Sequence, residues 1–136
     1  MIRSLYEFRK LGVSIPDEVI IRGLDYIANR AVASDGVDVI DLANSRAEIF
    51  ATLAQGKHPK AKAIQASIDV SKLSRHGYLM YSLGLSYAGT LDTMAQKNLE
   101  ARMNSRNTES YWYWDDTADR AIYARLLIRI GEQKKA

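Results

Sequence analysis

Between Gly77 and Leu91 the chain runs fifteen residues without a charge: Gly-Tyr-Leu-Met-Tyr-Ser-Leu-Gly-Leu-Ser-Tyr-Ala-Gly-Thr-Leu. No other stretch restricts the fold as strongly. Apolar and aromatic residues fall on every side of a helix drawn through it. A helix apolar most of the way round has to be surrounded by other helices. It is also too short to span a bilayer, which takes ~20 apolar residues. The run therefore predicts a central helix over about Val70 to Tyr87, ended by Gly89.

The flanking sequence supplies the helices to surround it. Only Pro16 and Pro59 interrupt 136 residues, so long helices are allowed. A short helix over about Ile2 to Leu11 ends at Gly12, a residue that tolerates the left-handed backbone of a helix C-terminus. Ser14, Pro16, Asp17 and Glu18 form a start signal: a cap, a residue suited to the first turn, and two acids at the positive end of the dipole. The helix they open runs to about Ala31, with Ile20, Gly23, Leu24, Ile27, Ala28 and Ala31 on one face. A third helix, about Ile40 to Gln55, carries Ala43, Ala47, Phe50 and Ala54 in one row. Small residues there permit close approach of a neighbour. Gly56 and His58-Pro59 make the turn into a shorter helix, about Lys60 to Ile68.

Beyond the uncharged run, about Leu91 to Met103 forms a helix with Ala95, Leu99 and Met103 in one row. A polar loop then leads through Tyr111-Trp112-Tyr113-Trp114 into a last helix, about Asp116 to Ile130. Tyr123, Leu126, Leu127 and Ile130 fit its inward template, with Arg125 and Arg129 opposite. Gly131 is expected to end it, leaving residues 132–136 as a solvated tail. No segment shows strand alternation or a hairpin signal. The terminal glycines 12, 56, 89 and 131 stand 44, 33 and 42 residues apart. That spacing suits stacked helical hairpins and not a strict 34-residue tetratricopeptide array. The expected class is all-α, one domain over residues 1–136.

Composition excludes several functions. With no cysteine, disulfides, thiolate metal sites, a cysteine nucleophile and an internal thioester are ruled out. The net charge of +3 is scattered, without the basic tract of a nucleic-acid arm. There is no Gly-x-Ser-x-Gly and no Gly-rich phosphate loop. Of the two histidines, His58 sits in a Lys-rich turn and is expected to be exposed, and His76 is expected to hydrogen-bond a neighbour. Neither has a carboxylate at an obvious ligand spacing, so no metal is expected.

Asp115, Asp116 and Asp119 spell DDxxD, a spacing that in some prenyl-diphosphate enzymes holds magnesium. Carboxylates at i and i+4 share a helix face and can bridge such an ion. The chain has no second acidic motif, so the favoured reading is a helix start. Asp115 or Asp116 caps it and the others favour its dipole. The aromatic residues Tyr111, Trp112, Tyr113 and Trp114 are either a plug at the end of a helical barrel or a contact surface for a sugar or peptide.

Four stretches resemble a known family. Val13-Ser14-Ile15-Pro16-Asp17-Glu18-Val19-Ile20-Ile21-Arg22-Gly23-Leu24-Asp25-Tyr26-Ile27, then Arg46 to Gly56, Leu73 to Leu85 and Trp114 to Leu127 are similar, in that order, to helices of bacterial alpha-2-macroglobulin-like proteins. The resemblance covers most of the chain. It implies the C-terminal portion of the alpha/alpha toroid that corresponds to their thioester domain, a fold shared with terpenoid cyclases and prenyltransferases. It further implies an excerpt of a larger endopeptidase inhibitor that traps proteases at a periplasmic or cell-surface location. Its partners would be the other domains of the parent and, through the parent, proteases. No catalytic residue, cofactor, nucleic acid or membrane insertion is expected. The family's Cys-x-x-Gln thioester motif has no counterpart here, so no reactive residue is carried over. The alternatives are a toroid-type terpenoid or prenyl-diphosphate enzyme and a helical-repeat scaffold that binds peptides.

Overall fold

The computed structural model describes residues 2–31, 39–104 and 116–135. They form seven α-helices and one 3-10 turn, with no strand among the described residues. The helices are α1 (Ile2–Lys10), α2 (Asp17–Ala31), α3 (Val39–Gln55), α4 (Ala61–Ala66), α5 (Arg75–Ala88), α6 (Thr93–Asn104) and α7 (Asp116–Lys135), and the 3-10 turn is Val70–Lys72. α3 and α5 are the middle pair. α2, α4 and the 3-10 turn pack on α3, α6 and α7 pack on α5, and α1 rests on α2 and α3.

The uncharged run does what its composition demands. Eleven of the fourteen residues of α5 are buried. Its closest neighbour is α3, and the seam between them is built from small residues. A Cβ on Gly84 would overlap the Phe50 ring and lie 3.2 Å from the Ala51 Cα. Ala47 and Ala51 are fully buried opposite. Phe50 fills the space so created and meets Tyr81 at a ring-centroid distance of 5.8 Å, a tilted contact that aromatic quadrupoles favour. Leu53, Leu79 and Met80 complete the interior at zero exposure.

The outer helices contribute the rows their sequences promise. On α2, Ile20, Leu24 and Ala28 are buried. On α6 they are Leu99 and Met103. Arg9 fixes the α1–α2 turn by donating to the Ile15 carbonyl at 2.8 Å and to Asp17 at 2.7 Å.

Four details differ from the sequence expectation. The central helix starts at Arg75, not near Val70. Ser74 adopts extended backbone and accepts from the Gly77 N–H, which makes it the N-cap. Such a cap satisfies one of the otherwise orphaned first-turn donors. Gly56 ends no helix by left-handed backbone. The positive φ falls on Lys57, at 53°, and Gly56 is needed for space, since its Cβ would lie 2.6 Å from the Tyr6 hydroxyl. Gly131 does not terminate α7, which continues to Lys135. A glycine lowers helix stability by about 1 kcal/mol but does not enforce a stop, and only Gly12 and Gly89 among the described glycines take positive φ. Finally, Leu127 is 48% exposed, while Ile122 packs against the core beside the fully buried Leu126. The predicted Tyr123, Leu126 and Ile130 face inward, Ile122 replaces Leu127 on that face, and Arg129 lies on the packed side.

Candidate functional site

Asp119 lies on the inward face of α7, one turn before Ile122 and two before Leu126. It is 3% exposed, the most buried carboxylate described. Its Oδ1 lies 2.6 Å from Nδ1 of His76, in the first turn of α5. The other ring nitrogen, Nε2, lies 3.0 Å from Oε1 of Glu48 on α3. The side chains of His76 and Asp119 are 7% and 5% exposed, while that of Glu48 is 35% exposed. One imidazole thus bridges three helices through two carboxylates.

A neutral imidazole has one N–H and one lone pair, so it satisfies only one of two carboxylates. The arrangement is complete only when the ring is protonated on both nitrogens. Burial is the largest single influence on the ring and opposes its charge. The hydrogen bonds and negative charges of Glu48 and Asp119 together outweigh it, holding the His76 pKa above its ordinary 6.5. This is the behaviour of a charged clamp. A general base needs an accessible ring nitrogen. In the hydrolase arrangement, one carboxylate orients the ring and a nucleophile occupies the other nitrogen. Here Glu48 stands in the nucleophile's place.

Asp119 lies in the first turn of α7, where the dipole reading puts it, and the structure adds its burial against His76. Its carboxylate is sequestered on His76 and does not face solvent with a metal-binding geometry. The carboxylates lie against different ring nitrogens, so they do not converge on one ion. Among the described residues no group of three His, Cys, Asp or Glu side chains is placed to hold a metal. Asp115 and the aromatic residues Tyr111, Trp112, Tyr113 and Trp114 lie outside the described residues, and the capping roles read for Asp115 and Asp116 lie outside the described side chains.

The second histidine is also corrected. His58 is not simply exposed: its side chain is 10% exposed and lies 2.7 Å from Asp25 on α2. The Lys60 N–H donates to its Nδ1 at 3.1 Å. That bond makes Nε2 the protonated nitrogen, which donates to Asp25. Lys60 adds a bond to Asn29 at 2.9 Å. The α3–α4 turn is thereby fastened to α2.

A third polar cluster joins α5 and α6 reciprocally. Arg102 of α6 donates to the Leu73 carbonyl at 3.1 Å and lies 4.3 Å over the Tyr78 ring. Arg75 of α5 donates to the Met103 carbonyl at 3.2 Å. A buried cation at a helix C-terminus is favoured by the free carbonyls and dipole there.

Sequence reasoning anticipated a partner for His76 and missed its identity. The available signal was the i, i+3, i+7 register of Asp119, Ile122 and Leu126. Comparison with protein-family models, with curated proteins and with solved structures gave no match. Within the described residues no helix is long and apolar enough to cross a membrane.

Proposed function

We propose that the chain is a non-catalytic helical interaction domain, part of the alpha/alpha toroid of an alpha-2-macroglobulin-like endopeptidase inhibitor. Its work is to dock against the other domains of its parent, which traps proteases at a periplasmic or cell-surface location. The observation that carries this reading is the placement of large apolar side chains on outward faces. Val19, Ile21 and Tyr26 on α2 are 51%, 55% and 60% exposed, and Leu127 and Ile128 on α7 are 48% and 61% exposed. Exposed large apolar side chains on two helices offer surface that can meet other protein. The polar clusters support the same reading, because each spends its charged groups on joining helices. The stretches that carry the family resemblance supply most of α2, the C-terminal part of α3, the capped start and most of α5, and the first part of α7.

The test is a trapping assay on the parent protein. A trap leaves a captured protease active on small peptides and inactive on large protein substrates. Wild type should show that split, and Ile21→Asp with Leu127→Asp should abolish it while this chain keeps its melting temperature. A parent without macroglobulin domains, or magnesium-dependent turnover of a prenyl diphosphate that Asp116→Ala removes, would sink the proposal.

A further inference from the structure

A cleft of ≈ 570 Å³ lies among α1, the C-terminal end of α3, α5 and α7, within the size range of small-molecule sites. Leu83 and Tyr87 of α5 and Ile122 of α7 give it an apolar wall. Four cations line it, Arg3, Lys10, Arg125 and Arg129, against one carboxylate, Glu7. Glu7 is already engaged. Arg125 donates to its Oε1 at 2.6 Å, and the Lys10 ammonium lies 3.7 Å from the same oxygen.

Two guanidinium groups are left without a carboxylate among the described residues. Arg3 makes one weak bond, to the Met80 sulfur at 3.6 Å. Arg129 donates through Nε to Ser86 Oγ at 2.8 Å and stacks 4.3 Å over the Tyr87 ring. That leaves its terminal nitrogens to point elsewhere, and a guanidinium presents paired N–H groups that match an oxyanion. The stacking holds the group in place without using that capacity. Gln55 adds an independent observation. Its Oε1 is buried and accepts no hydrogen bond, a costly state, and the residue lines the cleft.

We propose that this cleft binds a small organic acid, with its carboxylate or phosphate in the field of Arg3 and Arg129, its apolar body against Leu83 and Tyr87, and a donor such as an amide N–H toward Gln55. This site does not depend on the domain-docking reading, although Ile128 of α7 belongs to both surfaces.

The test is calorimetric titration of the 136-residue chain with three probes. N-acetylphenylalanine carries a carboxylate, an amide N–H and an aromatic body; N-acetylphenylalaninamide lacks only the charge; phenyl phosphate replaces the headgroup. At least one acid should bind, and the tighter one identifies the headgroup. The neutral amide should bind at least about tenfold more weakly than the better acid, the scale of a charge-assisted hydrogen bond. Arg3→Gln and Arg129→Gln should each weaken the better acid about tenfold, and Lys97→Gln, outside the cleft, should leave it unchanged. Arg3→Gln remains informative should Arg129→Gln unfold the chain. Absence of binding by both acids, equal binding of the neutral amide, or wild-type affinity in Arg3→Gln would overturn the proposal.

Discussion

The two faces of α5 are held by different physics. Toward α3 the contact is apolar along most of its length and shaped by small residues: Gly84 and Ala51 let the helices close, Phe50 fills what remains, and the Glu48 arm of the clamp joins only the first turn of α5. Toward α7 polar bonds are added, His76 on Asp119 and Arg129 on Ser86, beside the fully buried Leu126 and the partly buried Ile122, Tyr123 and Ile130. Packing of the first kind does not respond to pH. The second depends on a titrating ring. The molecule therefore has a fixed center and one helix whose attachment is conditional.

The strongest way to break the comparison is to attack the fixed seam. Phe50→Ala should destabilise by about 4 kcal/mol, the scale of an aromatic cavity. Denaturant melts should give the same loss at pH 5.5 and pH 8.5. A pH-dependent loss would mean that the seam is not purely steric.

Next in size is the clamp. Asp119→Ala should lose about 3 kcal/mol at pH 5.5, because it removes one partner of a buried pair. The loss should shrink at higher pH. His76 has a raised folded pKa, so its contribution is complete below 6.5 and disappears as pH rises through the folded value. Wild-type stability should fall across that window, and Asp119→Ala should flatten the curve. An NMR titration of the His76 ring should give a pKa above 6.5 in wild type and a lower one in the variant. An unchanged ring pKa would remove the clamp from the account.

Two smaller changes sharpen the picture. Gly84→Ala should lose about 2 kcal/mol by overpacking, since the Phe50 ring must shift. Ser74→Ala should lose about 1 kcal/mol, as caps do, by freeing the first turn of α5 that positions His76. A fluorescence or circular-dichroism melt resolves each; a neutral Gly84→Ala would mean that the seam has slack.

The two faces also differ in how far they could be read from sequence. The fixed seam was legible. The uncharged run named α5 as central, and the row of Ala43, Ala47, Phe50 and Ala54 named the face of α3 that meets it. Periodicity encodes apolar contacts because one residue's chemistry suffices to place it inside. The clamp was not legible in this way. Asp119 looks like any acid in a first turn, and its burial depends on a histidine 43 residues away. Polar burial is a property of pairs, and a single sequence shows only singles. The left-handed backbone at Lys57 was missed for a related reason. The neighbouring glycine drew the assignment, whereas Tyr6 and Leu24 require it for space. Likewise Ser74, read as mid-helix, was the cap that shortened α5.

The distance along the chain between α5 and α7 has a kinetic consequence. Two side-chain bonds between them, His76 to Asp119 and Arg129 to Ser86, each close 43 residues of chain. The contact of Gly84 with Phe50 closes a shorter loop. Loop-closure entropy delays contacts of long separation until others have formed. The α3–α5 seam should therefore form in the folding transition state, and α7 should join afterwards. In native-state hydrogen exchange, α7 amides should open as their own unit at a lower free energy than those of α5. Raising the pH past the titration of His76 should widen that gap.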